Sequence, residues 1–192
     1  MKTSATEQVR SEQVYSPAAR HFHWWTVAFI AVQVPVGLYM VWRGEATKFD
    51  DVTNQLYSAH KLTGFFILWL VLARLVYRLT HGAPPDEPTI EPWQKVASHL
   101  NHWSLYGLLV LIPILGWLGV SLYGATNVFG LFSLPSLAAK NTDAAATVFN
   151  LHKWAAYLLI AMAAVHIAAA LFHHLVRGDG VLRRMLPGLR QR

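Results

Sequence analysis

The chain has 192 residues, 54% of them apolar and only 14% charged, with a mean hydropathy of +0.32 and a formal net charge of +6. That balance departs from ordinary soluble usage and points to a membrane protein; no nucleic-acid motif accompanies the positive charge, which reads as topology and contact with anionic lipid. The lack of cysteine excludes disulfides, thiolate metal sites, iron–sulfur clusters and Cys-x-x-Cys-His haem attachment.

About twenty polar residues precede the first apolar run, which is span-length rather than the shorter core of a cleaved signal peptide. Ser16-Pro17 supplies an N-cap and a first helical position, and the first span is expected over residues 21–42. Loop one carries Arg43-Gly44-Glu45 and Asp50-Asp51. A second span is expected over 58–78. Loop two, His81-Gly82-Ala83-Pro84-Pro85-Asp86-Glu87-Pro88, cannot continue a helix, because its prolines remove donors and clash. The third span covers 99–123. Loop three, from about Gly124 to Ala146, is the longest, and its Phe129-Gly130-Leu131-Phe132 stretch suits the membrane interface. The fourth span covers 147–176. Each is long enough for a hydrocarbon core of about 30 Å, so the expected fold is all-α, a transmembrane four-helix bundle forming one domain over residues 1–192. Eleven of the sixteen Lys and Arg residues (2, 10, 20, 74, 78, 95, 177, 183, 184, 190 and 192) fall on the side shared by the N-terminus, loop two and the C-terminus. The positive-inside rule then predicts both termini in the cytoplasm of a multi-pass inner-membrane protein.

His152 and His166 lie fourteen residues apart in the last span. Fourteen helical steps return to within about 40° of the starting direction and climb roughly 21 Å, so both imidazoles project from one face at two depths. Imidazole is costly in hydrocarbon without a partner, which makes a functional reading the default. The alternating direction of the spans matches His60 with His152 near the periplasmic side, and His23 with His166 near the cytoplasmic side. Neutral nitrogens facing one another from different helices suit the two axial positions of haem b iron. Gly64, Ala156 and Ala169-Ala170 lie about one turn beyond these histidines, leaving little bulk beside them, although small residues also serve helix packing. Zinc is disfavoured, since no carboxylates or cysteines complete a four-ligand set.

Other polar residues divide by position. His21 points about 200° away from His23 and reads as interfacial; His81, in the Gly/Pro loop, reads as solvated. His99 and His102 are three residues apart and expected on one helical face, either as an interfacial pair or as donors to a quinone carbonyl or a haem propionate. His173 extends the stripe of His166 by seven residues, where a quinone headgroup or proton path is plausible. Arg74 follows His60 by fourteen residues at the level of the cytoplasmic haem; its rigid fork suits a propionate, and snorkelling is the competing reading, with Arg78 nearby. Lys61 and Lys153 each follow a histidine of the periplasmic pair, where they anchor helices, stabilise propionates or attract an anionic donor. The tryptophans read mostly as an aromatic belt.

These residues resemble the bacterial cytochrome b561 family of four-helix dihaem membrane cytochromes. The resemblance is carried by His23-Trp24, by His60-Lys61-Leu62-Thr63-Gly64, by Ser98-His99-Leu100-Asn101-His102, by the step from His152 to His166, and by His173-His174 with Leu182-Arg183-Arg184-Met185-Leu186-Pro187. It covers about residues 15–187. It implies two haems b, on His23–His166 and His60–His152, and transmembrane electron transfer with ubiquinone. It also implies a candidate reaction of the superoxide oxidase type, in which periplasmic superoxide is oxidised and ubiquinone reduced. Two alternatives stand beside it. One is a cytochrome subunit relaying electrons between a dehydrogenase or hydrogenase protein partner and quinone; the other is a haem-free transporter or structural bundle, which Pro35 and Pro113 keep open although the spans hold no Asp or Glu.

Overall fold

A computed structural model describes residues 14–189. Four long helices dominate it: α1 (Pro17–Thr47), α2 (Asp51–His81), α3 (Pro92–Tyr123) and α4 (Thr142–Phe172). All four are long and apolar enough to cross a membrane. Each overruns its expected span at the N-terminal end, because capping residues start it in the polar zone. Ser16 Oγ accepts from the Ala19 amide at 3.2 Å, ahead of Pro17 at the first helical position. Asp50 and Asn141 cap α2 and α4 in the same way, and Glu91 with Gln94 forms a capping box at α3. Pro35 and Pro113 sit inside α1 and α3 without ending them, as spanning helices tolerate when neighbours satisfy the freed groups.

The closest backbone approaches join α1 to α2, α3 to α4, and α2 to α3, so the bundle is two helical hairpins laid together. Ile67 and Val71 of α2, Leu108 and Leu109 of α3, and Leu159 of α4 form the buried cluster between them, with Phe29 and Ile30 of α1 against it. Outward faces are apolar and exposed, as at Val32, Val76 and Val165, which is the surface that lipid covers.

The two ends are built differently. At one, loop one is a tight turn in which Lys48 and Phe49 adopt positive φ, and Arg43 reaches across to Asp50 at 2.6 Å. Hydrogen bonds from the Thr53 hydroxyl and amide, joined by Arg43, hold the Asp50 carboxyl down at about 2. Loop three lies at this same end as a small hairpin, β1 (Asn127–Val128) antiparallel to β2 (Phe132–Ser133). Phe129 and Gly130 turn through positive φ, leaving Leu131 82% exposed at the tip. Trp117 donates to the Pro135 carbonyl at 2.8 Å and fastens the hairpin to α3.

At the opposite end α4 runs into one π-helical turn, His173–Arg177, and then a short 3₁₀ turn, Leu182–Arg184. This tail ties the end together. Arg184 pairs with Glu87 of loop two at 3.3 Å and donates to the Pro85 carbonyl, Arg177 donates to Thr89 O at 2.9 Å, and the Trp24 indole donates to Met185 O at 3.2 Å. Of the basic residues that set the expected topology, Lys2, Arg10, Arg190 and Arg192 lie outside the described residues.

Two histidine pairs as the candidate functional site

Helix α4 offers one imidazole to each of two partners. His152 meets His60 of α2 with ring centroids 6.2 Å apart and planes at 78°; His166 meets His23 of α1 at 6.2 Å and 67°. A metal–imidazole bond of about 2 Å on each side, added to ring radii of about 1.1 Å, puts centroids roughly 6 Å apart. Both pairs therefore have the spacing that two imidazoles sharing one metal would need.

At the loop-one and loop-three end, His60 and His152 open on a cavity of about 1410 Å³ that also reaches Gln33, Gly64, Lys61, Lys153 and Ala156. The volume exceeds the usual range for small-molecule pockets, roughly 300–1,000 Å³, and leaves room for a macrocycle. Glycines on the facing helices receive the rings. A Cβ on Gly37 would lie 2.8 Å from Cε1 of His60, and one on Gly116 would lie 3.2 Å from Cε1 of His152. His152 Nδ1 donates to the Ile112 carbonyl at 2.8 Å, which fixes its proton on that nitrogen and frees Nε2 as a donor to metal. Gln33 Nε2 donates to the His60 carbonyl at 2.9 Å, pinning α1 to α2 at this level. Lys61 Nζ donates to Ala125 O at 3.0 Å and also to Asn127 O, so its charge sits under loop three. Lys153 is exposed and lies over the Trp154 ring at 5.7 Å.

At the other end, polar side chains take the place of the glycines. An Arg74 guanidinium nitrogen lies 3.1 Å from His23 Nδ1, and its Cζ stands 5.1 Å from the Tyr106 ring centroid. His102 meets His166 edge-on at 5.1 Å, while its Nδ1 donates to Ser98 O at 2.7 Å. His99 does not share that position, contrary to the one-face expectation. Three helical steps separate the two by about 60°, and Asp86 of loop two draws the His99 ring outward at 3.1 Å. His173 is buried, with Nδ1 held at 2.5 Å by Asp179, a carboxylate only 4% exposed. His21 is exposed. His81 stacks on Tyr77 at 4.1 Å, a partner its loop position did not suggest.

Asp179, Gln33, Gly37, Gly116 and Tyr106 were not singled out from sequence. The small residues marked there lie on the ligands' own helices, whereas the ring cradles lie on their neighbours, and no spacing within one helix reveals a contact between two. For Asp179 a signal existed: an acidic residue in Gly178-Asp179-Gly180 just past His173.

A family model described as prokaryotic cytochrome b561 matches residues 14–188. The chain belongs to this family. Cytochrome b561 homolog 1 of Escherichia coli (strain K12) is 30% identical over 90% of this chain and 97% of its own length. Cytochrome b561 homolog 2 of the same organism is 28% identical over 90% of each. A probable superoxide oxidase, CybB, of Yersinia pestis is 33% identical over 67% of this chain and 73% of its own. Like its family, this cytochrome b561 protein is a multi-pass protein of the bacterial inner membrane that binds b-type haem and transfers electrons across the membrane. The haem-free alternative is thereby set aside.

Proposed function

We propose that this cytochrome b561 protein is a superoxide:ubiquinone oxidoreductase with two haems b, one held by His60 and His152 and the other by His23 and His166, and with both termini in the cytoplasm. The carrying observation is the repetition of one geometry, since both imidazole pairs have centroids 6.2 Å apart and both take one ring from α4. Bound at these pairs, haem supplies one-electron chemistry spread over two depths of the bilayer. Two superoxide ions yield two electrons and two molecules of oxygen; ubiquinone takes both electrons and two protons to become ubiquinol. The chain's own residues orient, bind and charge the ends of that path. Gly37 and Gly116 let two imidazoles lie against backbone, and the Ile112 carbonyl orients His152. With Arg43 paired to Asp50, Lys48, Lys61, Lys140 and Lys153 outnumber Glu45, Asp51 and Asp143 by one at the loop-three end, a small excess of cations that attracts a small anion. At the other end Arg74, His102 and His173 supply donors for a quinone headgroup.

Stopped-flow mixing of the oxidised protein with superoxide, with and without excess ubiquinone, is the test. Haem reduction that salt slows, followed by reoxidation on quinone, is expected. Haems that superoxide never reduces, or that never pass electrons to quinone, overturn the reading and favour a relay subunit serving a protein redox partner. A reporter fused after Arg192 and active only in the periplasm would reverse the topology.

A further inference from the structure

We infer that Arg74 and Arg78 form a two-point receptor for the paired propionate carboxylates of the haem between His23 and His166, turning the acidic edge of that macrocycle toward the end of the bundle tied by the α4 tail. The inference rests on the ligand pairs proposed above.

Arg74 and Arg78 follow His60 on α2 by fourteen and eighteen residues, within about 40° of its direction and one turn apart. Arg74 lies between His23 and Tyr106. Arg78 stands with Cζ 6.0 Å from the Tyr15 ring centroid, and its NH1 is buried without a hydrogen-bond partner. A snorkelling arginine would carry its guanidinium to water, which this buried nitrogen does not reach. Among the described residues, no carboxylate lies within ion-pair distance of either guanidinium. The described acids at this end have other partners: Asp86 with His99, Glu87 with Arg184, Asp179 with His173 and Arg177, and Glu91 with the first turn of α3. Two partly buried cations one turn apart without a counter-ion are costly, and the described chain supplies none.

Haem b brings two carboxylates on one edge, and each guanidinium offers a planar fork that matches a carboxylate. The contact between Arg74 and His23 points the same way. A guanidinium only donates, so His23 Nδ1 is the acceptor in this arrangement. An imidazole bonded to iron through Nε2 keeps its proton on Nδ1, so Arg74 must turn to another acceptor when the haem is bound, and a propionate beside it is one. At the cavity end the Lys61 ammonium is taken up by the carbonyls of loop three, and Lys153 is exposed over the Trp154 ring. Two adjacent cations favour the reduced state of the haem they flank and raise its midpoint potential.

Redox-difference infrared spectroscopy of the purified holoprotein, carrying haem labelled with ¹³C at the propionate carboxyls, tests this directly. In Arg78→Gln and Arg74→Gln, the labelled bands belonging to the haem that His23→Ala removes should shift. The midpoint of that haem should fall, with the other haem unmoved, and Arg78→Lys should restore the midpoint more fully than the band position. Labelled bands unchanged in both glutamine variants, or equal shifts at both haems, overturn the receptor. Where a glutamine variant fails to accumulate, the lysine variant decides, and an unshifted band in it also overturns the receptor. Retention of both haems in His23→Ala would instead strike the ligand assignment, and the receptor with it.

Discussion

The two histidine pairs share a centroid distance but not a surrounding. The pair His60 and His152 rests against two glycines beside a large cavity, whereas His23 and His166 are met by Arg74 and His102. One end therefore makes room by leaving side chains out and the other fills its space with donors and charge. An open, largely apolar cavity suits an approach by a small solute, while a donor-rich site suits a ligand that must be hydrogen-bonded and protonated. The same bundle thus surrounds its two histidine pairs with two different environments.

The largest effect that can break this contrast is loss of a ligand. On the proposed ligation, His152→Ala and His166→Ala should each remove about half of the haem measured as pyridine haemochrome, since each takes away one of the two protein donors to that iron. Each should leave a different midpoint behind. Identical residual spectra from the two variants would merge the sites into one. Next comes the glycine cradle: Gly37→Ala places a Cβ 2.8 Å from the His60 ring, and overpacking of this kind costs about 1–3 kcal/mol. The variant should lose haem from the cavity end alone, read by redox titration. Gly107→Ala, which meets nothing within 4 Å, is the control and should hold both haems.

A smaller effect is expected at the opposite end. Asp179→Asn weakens the 2.5 Å contact with buried His173 and should cost about 1–3 kcal/mol, seen as a lower thermal midpoint in detergent with haem content intact. The smallest concerns loop one. The Asp50 carboxyl, at about 2 when folded, is depressed from its ordinary value of about 3.9. Its contribution to stability is fully present above that ordinary value and is lost as pH falls toward 2. Detergent melts between pH 5 and 2 should steepen less in Asp50→Ala than in the parent chain.

Much of this contrast lies beyond what periodicity can carry. Fourteen residues between His152 and His166 place two rings on one face, and the caps at Ser16 and Asp50 announce helix starts, because both signals are local to one helix. The cradles at Gly37 and Gly116 are contacts between helices, and a glycine in a spanning helix looks the same whether it receives a ring or only a neighbouring backbone. His99 and His102 read as equals until Asp86, across a proline-rich loop, takes one of them. As charges, Arg177 and Arg184 read as topology, yet the folded tail sets them against Thr89, Pro85 and Glu87.

Helix α4 contributes a ring to both pairs, so the interval between the two pairs is ruled by a single rigid rod. Lengthening or trimming any loop leaves that interval untouched, whereas inserting one residue between His152 and His166 would swing one ring by about 100° and lift it by about 1.5 Å. Electron tunnelling is steeply sensitive to separation. The loops are therefore free to diverge with donor and acceptor, while the stretch from His152 to His166 is closed to insertion and deletion.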